Sequence, residues 1–138
     1  MKVVLDKGAI LPTKAHDLDA GWDLYVPEDV VIPARGSVVI DTGVHIEIPQ
    51  RYTGFIKSRS GMNVKHGIVS DSGVIDCGYT GSIKIKLYNM TDDSYFVQAG
   101  ERVCQLVVLP ICVDELEVVE TLSETDRGSN GFGSSGKF

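Results

Sequence analysis

An all-β fold is predicted by three features of this 138-residue chain. Short runs of β-branched residues recur, two stretches alternate strictly between apolar and polar, and turn residues return about every ten positions. That spacing suits a sandwich or barrel rather than a sheet separated by long helices. In chain order, Lys2–Leu5 and Val30–Ile32 are short runs rich in valine and isoleucine. Val38–Ile40 leads through Asp41-Thr42-Gly43 into Val44-His45-Ile46-Glu47-Ile48, which alternates and stops at Pro49 as a half-buried strand does. Gly61 to His66 is the one place with room for a turn or two of helix. Val74 and Ile75 read as a buried strand running into a tight hairpin. Ser82-Ile83-Lys84-Ile85-Lys86-Leu87 alternates again with its lysines outward, and Val103 to Pro110 reads as a central strand. After Ser123 no apolar period survives. The reading is therefore one β domain over 1–122 and a Gly/Ser-rich tail over 123–138, mobile in the free protein because it cannot offset its ordering entropy.

Composition narrows the function classes. Hydrophobic residues are 43% of the chain, enough for one domain to bury a core without staples. A net charge of −6 supplies no Lys/Arg stripe for a phosphate backbone, so no stable nucleic-acid binding is expected. Cys77, Cys104 and Cys112 are odd in number and form no C-x-x-C pair. Neither a zinc site nor a disulfide framework is indicated, and reduced thiols fit a cytoplasmic location, the host's cytoplasm for a viral chain. No N-terminal apolar run has the length of a signal peptide or a membrane span.

The chemistry concentrates in Gly73-Val74-Ile75-Asp76-Cys77-Gly78-Tyr79-Thr80-Gly81. A carboxylate and a phenol three residues apart, among three glycines, sit in a turn where ligand and backbone can approach closely. A rigid strand end holding Asp76 suits a general base, although a strand ending in Asp is more often a turn former. Arg59-Ser60-Gly61 precedes the helix candidate, where free backbone N–H groups favour an anion. Gln105 places a neutral donor in an apolar strand, and a buried amide needs partners. In the tail, Arg127 to Gly136 brings together a cation, the aromatic Phe132 and the hydroxyls of Ser134 and Ser135, with glycines such as Gly133 that let amides wrap an anion. Trp22 reads as core or subunit packing, and His45 and His66 as structural residues. His16 near Asp17 and Asp19 is a weak metal signal.

Five segments carry a resemblance: Ala20-Gly21-Trp22-Asp23-Leu24, Ser58-Arg59-Ser60-Gly61, Gly73–Gly81, Gly100-Glu101-Arg102-Val103-Cys104-Gln105-Leu106 and Arg127–Gly136. In this order the chain resembles the homotrimeric dUTPase family. The resemblance implies a distorted β-barrel or jelly roll, a homotrimer with active sites shared between three chains, and hydrolysis of dUTP to dUMP and pyrophosphate with Mg²⁺. Such an activity keeps uracil out of DNA and supplies dUMP for dTTP synthesis. It further implies that Asp76 orients and deprotonates the water attacking the α-phosphorus in line, and that the Tyr79 ring lies under the deoxyribose and rejects a 2′-hydroxyl. Backbone from Gly73 through Val74 and Ile75 would pair with uracil. Arg59, Ser60, Gly61 and Gln105 would hold phosphates. Phe132 would stack on uracil in a neighbour's site, while Arg127, Ser134 and Ser135 engage the outer phosphates and Gly133 joins them in binding the substrate. Asp23 would reach the metal indirectly, through water.

Two departures are mild: Ser82 follows Gly81 where relatives carry Glu or Gln, and Ser135 stands where Thr is common. The related dCTP deaminase needs a glutamate on the strand after the hairpin. Lys86 occupies that place and cannot do a carboxylate's work. A non-catalytic module that kept the trimer is the other alternative, against which the joint presence of Asp76, Tyr79, Arg59 and Phe132 counts.

Overall fold

A computed structural model describes residues 1–131, and Phe132, Gly133, Ser134 and Ser135 lie outside the described residues. The described chain forms β1 (Val3–Leu5), β2 (Gly21–Tyr25), β3 (Val30–Ile32), β4 (Ser37–Asp41), β5 (Val44–Ile46), β6 (Tyr52–Ser58), β7 (Ile68–Ser70), β8 (Val74–Ile75), β9 (Lys84–Asn89), β10 (Tyr95–Val97) and β11 (Arg102–Pro110). One short helical segment, Gly61–Lys65, winds as a π-helix where the sequence left room for it. The largest sheet runs β2-β11-β6-β8 and the second β4-β9-β7, while β1-β5 and β3-β10 form two ribbons. Every pairing is antiparallel, and the sheets wrap one apolar core as an unclosed, distorted barrel of jelly-roll type.

Alternation fixes which face turns inward. In β9, Ile85, Leu87 and Asn89 are buried while Lys84 is exposed and Lys86 half-buried, its ammonium 4.8 Å above the Tyr88 ring. Asn89 is the polar exception and uses its full capacity. Its Nδ2 donates to the carbonyls of Ile32 (3.2 Å) and Asp93 (2.8 Å), and its Oδ1 accepts from the Thr91 amide (2.9 Å) and hydroxyl (2.7 Å). In β6, Gly54 lies where a Cβ would come within 2.7 Å of Leu106 Cδ1 and 3.3 Å of Ile75 Cβ. Only glycine lets β8 and the Leu106 side chain close over this point.

The strands expected from alternation are present, β5 ending at Ile46 with Ile48 still buried beyond it. β2, β6, β7 and β10 were not expected. β2 opens on Gly21, β6 carries Gly54 at its third position, and the other two are three residues long, too short for a period to register. One expectation needs correcting. Val74–Ile75 is an edge strand bonded to β6 alone, with Ile75 inside and Val74 exposed, and not a buried strand. Trp22 is half-buried and carries the Lys14 ammonium 4.1 Å over its ring, while the His16 amide donates to Asp19 in a local turn. All three cysteines are free, and burial pushes the Cys104 thiol up to about 12, which makes it inert. Residues 111–131 form no strand and are all exposed, with Leu116 and Val118 at 99%. No helix among the described residues is long and apolar enough to cross a membrane.

Leu106 is fully buried against Gly54 on the central strand. Leu106→Ala should lower the free energy of unfolding by about 2–5 kcal/mol, read from urea unfolding at fixed protein concentration.

Candidate active site

Asp76 follows β8 directly, and the strand end is pinned beside it because the Thr53 hydroxyl donates to the Ile75 carbonyl at 2.9 Å. The Tyr79 amide donates to the Asp76 carbonyl at 3.0 Å and closes a tight turn. The Tyr79 hydroxyl then donates to the Ser82 carbonyl at 2.9 Å, which folds the ring across Gly81. A Cβ at position 81 would lie 2.6 Å from the ring carbon Cζ, so the ring can take this position only over a glycine. The phenol is thereby held as a platform: its hydroxyl is used inside the hairpin, and its face is left exposed.

Asp76, Val74, Ile75 and Tyr79 line one cleft of about 220 Å³, joined by Ser72 and Lys84. Lys84 is a residue that the sequence reading assigned only to an outer face. Its ammonium is 4.0 Å from Asp41. The Ser82 hydroxyl donates to Asp41, and the Gly43 amide donates to it as well. These hydrogen bonds, in that order, hold the Asp41 carboxyl below its ordinary pKa, with burial opposing and Lys84 assisting. The hairpin is thus tied to the barrel wall by charge as well as by backbone.

A second cluster gathers where β2, β6 and β11 meet. β11 sets Gln105 opposite Asp23 on one side and opposite Lys57 on the other. Asp23 is buried, and its two oxygens are each taken by an arginine: Oδ1 by Arg59 Nε at 3.0 Å and Oδ2 by Arg102 Nη1 at 3.1 Å. Arg59 Nη1 also donates to the Arg102 carbonyl at 2.9 Å. Glu101 lines the same pocket as both arginines, so what the cluster offers an anion is two fixed guanidinium groups and not an excess of charge. Arg102 escaped the sequence reading, and so did the pairing of Asp23 with arginine; a signal existed in the opposed charges of two adjoining strands, but only register reveals it. Gln105 donates to the Ser58 carbonyl at 3.3 Å, and Ser60 and Gly61 stand exposed at the start of the helical turn. Among the described residues no group of three His, Cys, Asp or Glu side chains could hold a metal ion. A divalent cation here would have to be carried by a ligand's phosphates and by water, since both Asp23 oxygens are taken by arginines.

One chain does not bring the two clusters together. β8 pairs with β6 at Gly54↔Ile75, which sets Asp76 level with Thr53, six residues from Arg59 along the same strand. At a rise of about 3.3 Å per residue that is roughly 20 Å. Arg127 stands apart from both, its Nε donating to the Asn130 carbonyl at 3.0 Å.

The dUTPase family model matches residues 7–136. The chain is 47% identical over 138 residues to the deoxyuridine 5'-triphosphate nucleotidohydrolase of Eremothecium gossypii, covering 99% of this chain and 90% of that protein. Its fold is similar to the dUTPase of Staphylococcus bacteriophage 80alpha solved with dUPNHPP, at a TM-score of 0.92 and 36% identity, covering 98% of this chain and 97% of that one. It is also similar to a mutant dUTPase from phage phi11 of S. aureus, whose structure details the coordination of a structural Mg(II) ion, at a TM-score of 0.81 and 31% identity over 87% of this chain and 96% of that one.

Asp23→Asn removes the charge that separates Arg59 from Arg102. The variant should lose about 1–3 kcal/mol, the scale of a hydrogen bond to a charged group, and its urea midpoint should fall accordingly.

Proposed function

The chain belongs to the dUTPase family, and we propose that it hydrolyses dUTP to dUMP and pyrophosphate, with Asp76 as the general base. The observation that carries the reading is the hairpin cleft, where an exposed carboxylate and a fixed phenol face share one wall. Asp76 accepts a proton from a water whose oxygen attacks the α-phosphorus in line, and pyrophosphate leaves from the opposite side. Its exposed carboxylate at the strand end is within reach of such a water. The Tyr79 face packs under C2′ of the sugar and leaves neither space nor partner for a ribose hydroxyl. Gly73, Val74 and Ile75 present backbone to the uracil edge.

The phosphates fall to Arg59, Ser60, Gly61 and Gln105, with Asp23 and Arg102 fixing the angle at which Arg59 approaches. Mg²⁺ enters as part of the nucleotide substrate, where it neutralises phosphate charge and restrains the chain for in-line attack. Asp23 meets the nucleotide through its arginines, and an outer contact to the metal's water remains part of the proposal. A triphosphate cannot bridge the roughly 20 Å between Asp76 and Arg59 of one chain, which supports a homotrimer whose sites combine the hairpin of one subunit with the arginine cluster of another. The exposed apolar residues after β11 support the same assembly. Arg127, Phe132, Gly133, Ser134 and Ser135 then close a third subunit's tail over the nucleotide and exclude bulk water.

Two outcomes test this reading. Asp76→Asn should bind dUTP as the parent does and turn it over about 10²–10⁴-fold more slowly, the loss expected for a missing general base; parental turnover would remove Asp76 from that role. Truncation after Thr125 should leave a folded trimer with little change in thermal midpoint, because residues 126–131 are exposed, and with poor turnover. Mixed trimers of the truncated chain and the full-length Asp76→Asn chain, formed by unfolding and refolding together, should recover activity that neither homotrimer has. Mixed trimers without recovery would mean that the tail does not act across subunits.

A further inference from the structure

His45 lies on β5, outside the cleft, and both of its ring nitrogens meet acceptors. Nδ1 is 2.8 Å from the Thr80 carbonyl, and Nε2 is 3.2 Å from the Asp6 carboxylate. Thr80 is the residue between Tyr79, the proposed sugar platform, and the glycine its ring crosses. The ring therefore joins the substrate hairpin to the loop after β1. An imidazole can donate from both nitrogens only when it carries the extra proton. A neutral ring satisfies one acceptor and turns a lone pair on the other.

We propose that His45 is a positioning residue for nucleotide recognition: doubly protonated, it fastens the Thr80 carbonyl to Asp6 and so fixes the height of the Tyr79 ring beneath the sugar. The inference rests on the proposed dUTP hydrolysis and assigns that site a control lying outside its lining. The groove around His45 is lined by Lys2, Val4, Ile46, Glu47 and Thr80, and its two ionic residues neutralise one another, Lys2 and Glu47 being paired at 3.0 Å. Asp41, paired with Lys84, is the other charge acting on the ring. The hydrogen bond to Thr80, then that to Asp6, raise the His45 pKa above its ordinary 6.5, and partial desolvation opposes them. The sign follows: the double link is complete below about 6.5 and is lost as pH rises through the raised folded-state value.

The two partners separate the idea from a general packing role. His45→Ala removes the link at every pH. Asp6→Asn supplies an amide that can donate to a neutral Nε2, which leaves the Nδ1 proton on Thr80 at every pH. KM for dUTP, kcat and the dUTP-over-UTP ratio of kcat/KM are measured from about pH 5.5 to 9, the span in which a histidine titrates. In the parent, KM should rise and the ratio should fall on the alkaline side by about 3–10-fold, the size of one net hydrogen bond, with kcat nearly level. His45→Ala should show the weakened values throughout, and Asp6→Asn the strong values throughout. NMR of the nucleotide-free parent should show the Tyr79 and Thr80 amide shifts following the His45 titration with a midpoint above 6.5. The same alkaline limb in Asp6→Asn as in the parent, or hairpin amides indifferent to that titration, would overturn the inference. A parent that does not hydrolyse dUTP at all, with the NMR coupling intact, would instead overturn the proposed function.

Discussion

β11 is hydrogen-bonded along both edges, to β2 on one side and β6 on the other, and the geometry of the Asp23–arginine cluster descends from that double register. Its pairing with β2 sets Asp23 beside Gln105, and its pairing with β6 brings Ser58, and hence Arg59, to the same end. A shift by one residue would turn every side chain of the strand to the other face and separate Asp23 from both arginines. The register is held by what lies inside it: Val103, Cys104 and Leu106 are buried, and Leu106 occupies the space that Gly54 leaves open. The irregularity between Arg102 and Cys104 re-aims Arg102 toward Asp23. Core packing and the placing of the Asp23–arginine cluster are thus properties of one strand.

Electrostatics resolves an apparent conflict. A chain of net charge −6 is expected to repel a triphosphate, yet cations gather where the phosphates would lie. Asp23 sits between Arg59 and Arg102 and permits two guanidinium groups to share a small volume that they would otherwise avoid. Short-range, hydrogen-bonded cations prevail over a diffuse net charge, because solvent and salt screen the latter beyond about 10 Å. The hairpin repeats the arrangement in miniature, Asp41 holding Ser82 and Lys84 together beside the Tyr79 ring.

Much of this was legible in the residues. β3 matches its run of valine and isoleucine, β9 and β5 follow their alternation, and the helical turn lies within the one gap left for it. Asp76 and Tyr79 do stand in one tight turn, as their spacing among glycines suggested, and the structure adds that both line one cleft. What stayed hidden depends on contacts between distant strands. β6 carries Gly54 and Ser58 on the face of Ile56, where alternation wants apolar residues, and only its position between β11 and β8 makes it a strand. Val74 looked buried because it is β-branched, but β8 has a neighbour on one side only. His45 lay in plain alternation, and nothing local marks Thr80 and Asp6 as its partners, 35 and 39 residues away.

The stretch that follows β11 raises a question of colloidal behaviour. Ile111, Val113, Leu116, Val118, Val119 and Leu122 are all exposed, a pattern that in an extended chain invites edge-to-edge stacking and fibril growth. Asp114, Glu115, Glu117 and Glu120 interrupt it with four negative charges and no compensating cation between Ile111 and Leu122. Like copies of the stretch therefore repel each other in register, whereas a different surface can still accept its apolar side chains. The acidic residues act as gatekeepers: they keep separate copies of the chain dispersed although the apolar side chains of this stretch are exposed.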